Sequence, residues 1–150
     1  MPSVPSTQLK PLSWEWLAGF FDGEGCIVVR RDGRFPNGDV RIWLQVHQHA
    51  RSASVLFDIR EFLGSRKVPV YYRDADAHSS LQISTRQGVK LCLKRMLPYL
   101  RVKRLQAEDV LRYFSELEEV QLKFGKRYYI RQGRILVPPM TATQANERRN

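Results

Sequence analysis

Two acids, Asp22 and Glu24, alternate with Gly23 and Gly25 at the end of an amphipathic run that starts near Ser13. Ser13 suits the N-cap of a helix, because its hydroxyl accepts from the free amides of the first turn. Glu15 sits where the helix dipole favours an anion. Leu12 and Leu17 fall at the N′ and N4 positions of a hydrophobic staple. Leu17, Phe20 and Phe21 are placed to enter a core, while Trp16, Gly19 and Gly23 line up one turn apart on another face. A glycine inside a helix costs roughly 1 kcal/mol against Ala. A helix keeps that cost where another backbone comes close. Asp22 and Glu24 then stand at the negative end of the dipole, beside carbonyls without helical partners. Acids in that position suit a divalent cation, which takes hard oxygen ligands. A core helix with a glycine-rich end and a turn into a strand meets the same spacing.

The stretch Leu17-Ala-Gly-Phe-Phe-Asp-Gly-Glu-Gly25 closely resembles the signature of the LAGLIDADG homing endonucleases, with Glu24 at the place of the catalytic acid. The likeness continues to about residue 120. It implies an α+β fold of order αββαββα, in which a four-stranded antiparallel sheet binds DNA under a layer of helices. It further implies a site-specific endonuclease, encoded in a group I intron, that cuts a long pseudo-palindromic duplex and leaves 3′ overhangs. In such a protein Mg²⁺ sits at Glu24, with the carbonyl of Gly25 as a second candidate ligand, and two or more ions are shared at a dimer dyad. Gln48 matches a polar residue that orders water near the metals, and Lys103 matches a lysine near the scissile phosphate. Past the glutamine, where relatives often carry a basic residue, the chain has Arg51 and then Ser52. Glu24 replaces the commoner Asp with one more methylene and the same chemistry. Asp22 reads as structural, in contact with backbone at the helix end.

Phosphodiester hydrolysis needs a polarised phosphate, an activated water and a stabilised leaving oxygen, all of which divalent metals supply. The chain holds one copy of the signature and one credible pair of carboxylates. A twofold homodimer through Trp16, Gly19, Phe20 and Gly23 sets two Glu24 side chains together at the dyad. Charges that close would drive a proton onto one of them unless metal intervenes.

The elements that position these groups follow from the rest of the chain. Its 150 residues suit a single domain. A net charge of +10 calls for a polyanionic partner. With no apolar run of membrane length, nucleic acid comes before anionic lipid. The start lacks the charged and apolar regions of a secretory signal. Cys26 and Cys92 have no metal-ligand spacing and read as reduced thiols. The expected location is intracellular, in the compartment that holds the host's DNA. Residues 1–11, with three prolines, read as a flexible arm, 12–137 as the domain and 138–150 as a disordered tail.

Cys26–Arg31 and Val40–Gln48 read as antiparallel strands around Pro36-Asn-Gly-Asp39. Val68–Arg73 and Ser80–Ser84 read as a second hairpin, with Pro69 at an edge or a strand start. Helical spacing covers 52–63, stopped at Gly64, then 89–97 and 106–120.

Alternation puts Arg30, Arg41, Trp43, Gln45, His47, Arg73, Ser80, Gln82 and Ser84 on the face away from the helices. A solvated polar face is the ordinary reading. Arg and Gln, however, make the bidentate contacts that read guanine and adenine. About nine residues per strand span roughly 30 Å, which matches about nine base pairs. A dimer then covers a target of about 20 base pairs. The basic run at 122–135 includes Lys126 and Arg127 and suits phosphate contact. His47 and His49 share a face but lack further zinc ligands. Two other readings remain: a non-catalytic binder on the same fold, either an intron-splicing maturase or a DNA-binding regulator, and an RNA-binding domain that stacks bases on Trp43 and Tyr72. Intron RNA is therefore a second candidate partner.

Overall fold

The computed structural model describes residues 10–30 and 40–125, together with the backbone of 31, 129–131 and 134–136. Helix α1 spans Trp14–Glu24, and the Ser13 hydroxyl accepts from the Trp16 amide at 3.1 Å. Leu17, Ala18 and Phe21 are buried. Phe20 is only half-buried, so the expectation of a core position holds for its neighbours and not for Phe20 itself. At the end of α1, the Gly25 amide donates to the Phe21 carbonyl and the chain turns directly into β1, Gly25–Arg31. A Cβ at Gly25 would overlap the buried Phe21 ring and lie 2.7 Å from the Phe21 carbonyl oxygen. Only glycine lets the strand leave the helix that close to the ring.

Strand β2, Val40–His49, pairs antiparallel with β1, with Gly25 opposite Val46 and Arg30 opposite Arg41. A 3₁₀ turn at Ala50–Ser52 leads into α2, Ser54–Gly64. Helix α2 stops at Gly64 as expected, and the left-handed residue that follows it is Lys67, φ 61°. Lys67 donates to the Gly64 carbonyl and Val68 to the Leu63 carbonyl, both at 3.0 Å. This bond pair is the Schellman motif, and its apolar contact is supplied by buried Leu63 and Val68. Burial of those two side chains fixes the left-handed turn three residues past the glycine.

Strand β3, Tyr71–Asp74, is shorter than expected, and β4, His78–Ile83, is displaced toward the N-terminus. The sheet order is β1-β2-β4-β3. Thr85 caps α3, Arg86–Met96, so Ser84 belongs to the helix entry and lies one residue past β4. A 3₁₀ turn at Leu97–Tyr99 precedes α4, Arg104–Phe124. Ile42, Leu44, Val46, Leu81 and Ile83 line the inner face of the sheet, and all four helices contribute buried residues against it. The result is the expected α+β fold of four antiparallel strands under helices. A further hairpin, β5 at Tyr129–Arg131 with β6 at Arg134–Leu136, was not anticipated. The expected arm (apart from Lys10 and Pro11) and the expected tail lie outside the described residues.

Candidate active site and nucleic-acid face

The end of α1 is tied to the start of α4. One Asp22 carboxylate oxygen accepts from the Arg101 amide at 2.7 Å, and the other from the Lys103 amide at 3.1 Å. In return, Lys103 Nζ donates to the Asp22 carbonyl at 2.6 Å and lies 5.8 Å over the Phe21 ring. Desolvation pushes the Asp22 pKa up. The amides of Arg101, Lys103 and Val102 and the charge on Lys103 outweigh it and hold the carboxyl below its ordinary value. Asp22 is thus the structural acid, though its backbone partners belong to a distant segment.

Glu24 is exposed, and no hydrogen bond or ion pair occupies it among the described residues. Gln48 lies two residues beyond Val46, the partner of Gly25, and so falls by register beside the junction of α1 and β1. It is half-buried and opposite Ser79. Lys103 is therefore anchored two residues before Glu24 at the end of α1, with Gln48 on the adjoining strand by register. The Glu24 carboxylate is a fitting donor for a hard cation. Among the described residues of one chain, no three His, Cys, Asp or Glu assemble into a metal site.

The outer face of the sheet reads across in rows: Arg30–Arg41, Val28–Trp43, Cys26–Gln45–Gln82–Tyr71 and His47–Ser80–Arg73. The expected residues share this face, except that Ser84 is off the strand. Arg30 and Arg41 are exposed and stand directly opposite, a like-charge pair that opposes sheet pairing. An anion held between them would relieve that repulsion. The Arg30 guanidinium lies 5.6 Å over the Trp43 ring.

His49 shares this face as expected, and Tyr71 and His78, which also lie on it, were missed. The alternation that selected Arg73 implies Tyr71 as well. His78 gave no such signal, because the sequence placed it in a loop. His49 and His78 meet edge to face at 5.8 Å. Tyr72 is on the opposite side, packed 4.8 Å from Phe57 with Arg60 over its ring at 5.9 Å, and does not offer a stacking surface beside Trp43. That removes half of the support for RNA stacking.

On α1, Trp16 is 41% exposed and stacks on Phe20 at 5.2 Å. A Cβ at Gly19 or Gly23 would meet nothing within 4 Å. Among the described residues, packing requires neither glycine. Lys126 and Arg127 lie outside the described residues. Among the described residues, no helix is long and apolar enough to cross a membrane.

The LAGLIDADG endonuclease family model matches residues 17–120. The chain is 34% identical over 116 residues to DNA endonuclease I-CvuI of Chlorella vulgaris, covering 75% of this chain and 70% of that one. It resembles the crystal structure of I-CvuI in complex with the I-CreI target, with a TM-score of 0.61, 29% identity, and coverage of 72% and 69%. It also resembles the homing endonuclease I-TnaI, with a TM-score of 0.54, 26% identity, and coverage of 75% and 79%. The chain belongs to the LAGLIDADG endonuclease family.

Proposed function

We propose that this chain is a site-specific double-strand DNA homing endonuclease, encoded in a group I intron, that works as a homodimer with Mg²⁺. The observation that carries this reading is the Lys103–Asp22 tie, which leaves Glu24 unengaged at the end of a sheet whose outer face is basic. Membership of the family supports the same chemistry, and I-CvuI has been crystallised with DNA in the presence of Mg or Ca.

Glu24 and the Gly25 carbonyl are the residues that would hold the metal. When bound there, it polarises the scissile phosphate and acidifies water. Lys103 has one N–H engaged by the Asp22 carbonyl, and its remaining donors serve a phosphate oxygen. Gln48 holds water through its amide. Hydrolysis joins the water oxygen to phosphorus and breaks the bond to the leaving oxygen, which takes up a proton. One chain supplies one unengaged acid at this place, so a second copy across Trp16, Gly19, Phe20 and Gly23 completes the pair that cuts both strands. The sheets of the two protomers would read a pseudo-palindrome of about 20 base pairs, and the staggered cuts would leave 3′ overhangs.

The test is digestion of a plasmid library with randomised 20-base-pair inserts in Mg²⁺ or Ca²⁺. Discrete double-strand cuts in Mg²⁺ only, with 3′ extensions, are expected. Retention of selected plasmids without cutting in either ion would favour the maturase or regulator instead.

A further inference from the structure

Three side chains on the outer face of β2 are joined in line. Trp43 Nε1 donates to Gln45 Oε1 at 3.0 Å, and Gln45 Nε2 lies 2.7 Å from His47 Nε2. An indole N–H only donates, so the Gln45 atom facing it is the amide oxygen. The amide nitrogen only donates as well. His47 Nε2 must therefore accept, which makes the imidazole neutral with its proton on Nδ1. Arg30, 5.6 Å over the Trp43 ring, packs against the other end of the line.

A glutamine free to turn presents one acceptor and one donor, the pattern that matches the N6 and N7 edge of adenine. Gln45 is not free to turn. Its oxygen already accepts from Trp43 and is held toward that ring, while two donors stay free, its second amide N–H and the Nδ1–H of His47. The purine edge that offers two acceptors is N7 and O6 of guanine. We infer that Gln45 reads guanine and not adenine, because the Trp43–Gln45–His47 line fixes its amide with the donor outward. The inference rests on the DNA-reading role proposed for this face and deepens it.

The experiment is affinity selection of wild type, Gln45→Ala and Trp43→Phe on a randomised duplex library in Ca²⁺, followed by titration of single-base variants. The position at which Gln45→Ala loses its preference identifies the base that Gln45 reads. That base is expected to be guanine, preferred about tenfold, in each half-site. Trp43→Phe keeps the ring but frees the amide oxygen, and should admit adenine there to within about twofold of guanine. Adenine preferred by wild type at that position overturns the inference. So does an unchanged guanine preference in Trp43→Phe, or a Gln45→Ala profile identical to wild type. Each of these leaves the DNA-reading role intact. Circular dichroism checks folding; if Trp43→Phe does not fold, the comparison of wild type with Gln45→Ala decides. If wild type enriches no sequence, the DNA-reading role fails, and this inference with it.

Discussion

Lys103 Nζ sits 2.6 Å from the backbone carbonyl of Asp22, while the Lys103 amide donates to the carboxylate of the same residue. The two residues close a ring of contacts between segments far apart in the chain. One acid of the signature is engaged in this tie, and the other, Glu24, has no partner among the described residues.

Removing the tie should show in stability and in its pH dependence. The Asp22 pKa is held below 3.8 by the amides and Lys103, against an opposing desolvation. Its contribution is therefore present above that value and lost as pH falls through the folded-state pKa. At pH 7, Asp22→Ala should lose about 1.5 kcal/mol, the low end for bonds to a charged group at a partly exposed site. Urea titrations from pH 7 to pH 3 should bring wild type and variant together in acid. Equal stability at pH 7 would show that the tie is not worth its desolvation.

Glu24→Gln should leave folding untouched, because Glu24 has no partner within the chain to lose among the described residues. Target binding should persist within about tenfold, or 1.4 kcal/mol, while cleavage in Mg²⁺ disappears. Gel shifts and digestion of one duplex separate the two. Robust cutting by this variant would place the metal elsewhere.

What the sequence showed of this site and what it hid divide along locality. The Ser13 cap, the β2 alternation and the Asp22–Glu24 placement all depend on neighbours a few residues away, and all are present in the structure. The bonds of Asp22 reach to Arg101 and Lys103, so no local pattern announces them. Lys103 was nominated by resemblance alone, and only the fold shows what holds it. Tyr72 was assigned to stacking by residue type, although alternation with Arg73 already placed it on the inner side. The pairing of Tyr129–Arg131 with Arg134–Leu136 carries no strong local signal, because the residues between them in sequence are Gln132-Gly133 and not Asn-Gly or Asp-Gly.

The glycine face of α1 makes a prediction that distinguishes a chain from a pair of chains. Because an added Cβ at Gly19 meets nothing among the described residues, Gly19→Ala should raise helix stability by up to about 1 kcal/mol in a monomer. Gly19→Leu should still fold but hold two such helices apart. Light scattering should report monomers, and specific DNA binding should fall with the dimer. A Gly19→Leu protein that remains dimeric would move the interface to another surface.

The two thiols should behave oppositely. Cys26 is exposed beside Gln45 on the outer face, whereas Cys92 is buried and its pKa is pushed up to about 12 by desolvation. Iodoacetamide at pH 8 should label one cysteine in the folded chain and both in urea, and labelled protein should bind DNA less well. Stability should hold below pH 9 and decline toward pH 12, because only the unfolded chain releases the Cys92 proton in that window. Equal labelling of Cys92 in the native protein would contradict its burial.

Lys67 carries the last prediction, and it lies far from the chemistry. Its backbone is left-handed, φ 61°, between α2 and the approach to β3. A side chain with a Cβ pays about 1–2 kcal/mol for that conformation. The Schellman bonds from Lys67 to Gly64 and from Val68 to Leu63 hold it there, with Leu63 and Val68 buried. Glycine adopts the same angles without strain but loses more freedom on folding, which offsets part of the gain. Lys67→Gly should therefore stabilise the protein by about 0.5–1 kcal/mol, a rise in Tm of about 1–4 °C for a chain of this size. Removing a positive charge from a chain of net charge +10 also favours folding. Lys67→Ala isolates that electrostatic part, since it removes the charge and keeps the strain. Lys67→Val should be the least stable of the set, because a β-branched side chain is the least tolerant of positive φ. Thermal denaturation of the four proteins should give the order Gly, Ala, Val, with wild type near Ala. A Lys67→Gly protein no more stable than Lys67→Ala would mean that the bond pair and the buried contact, not the residue, determine the cost of this turn.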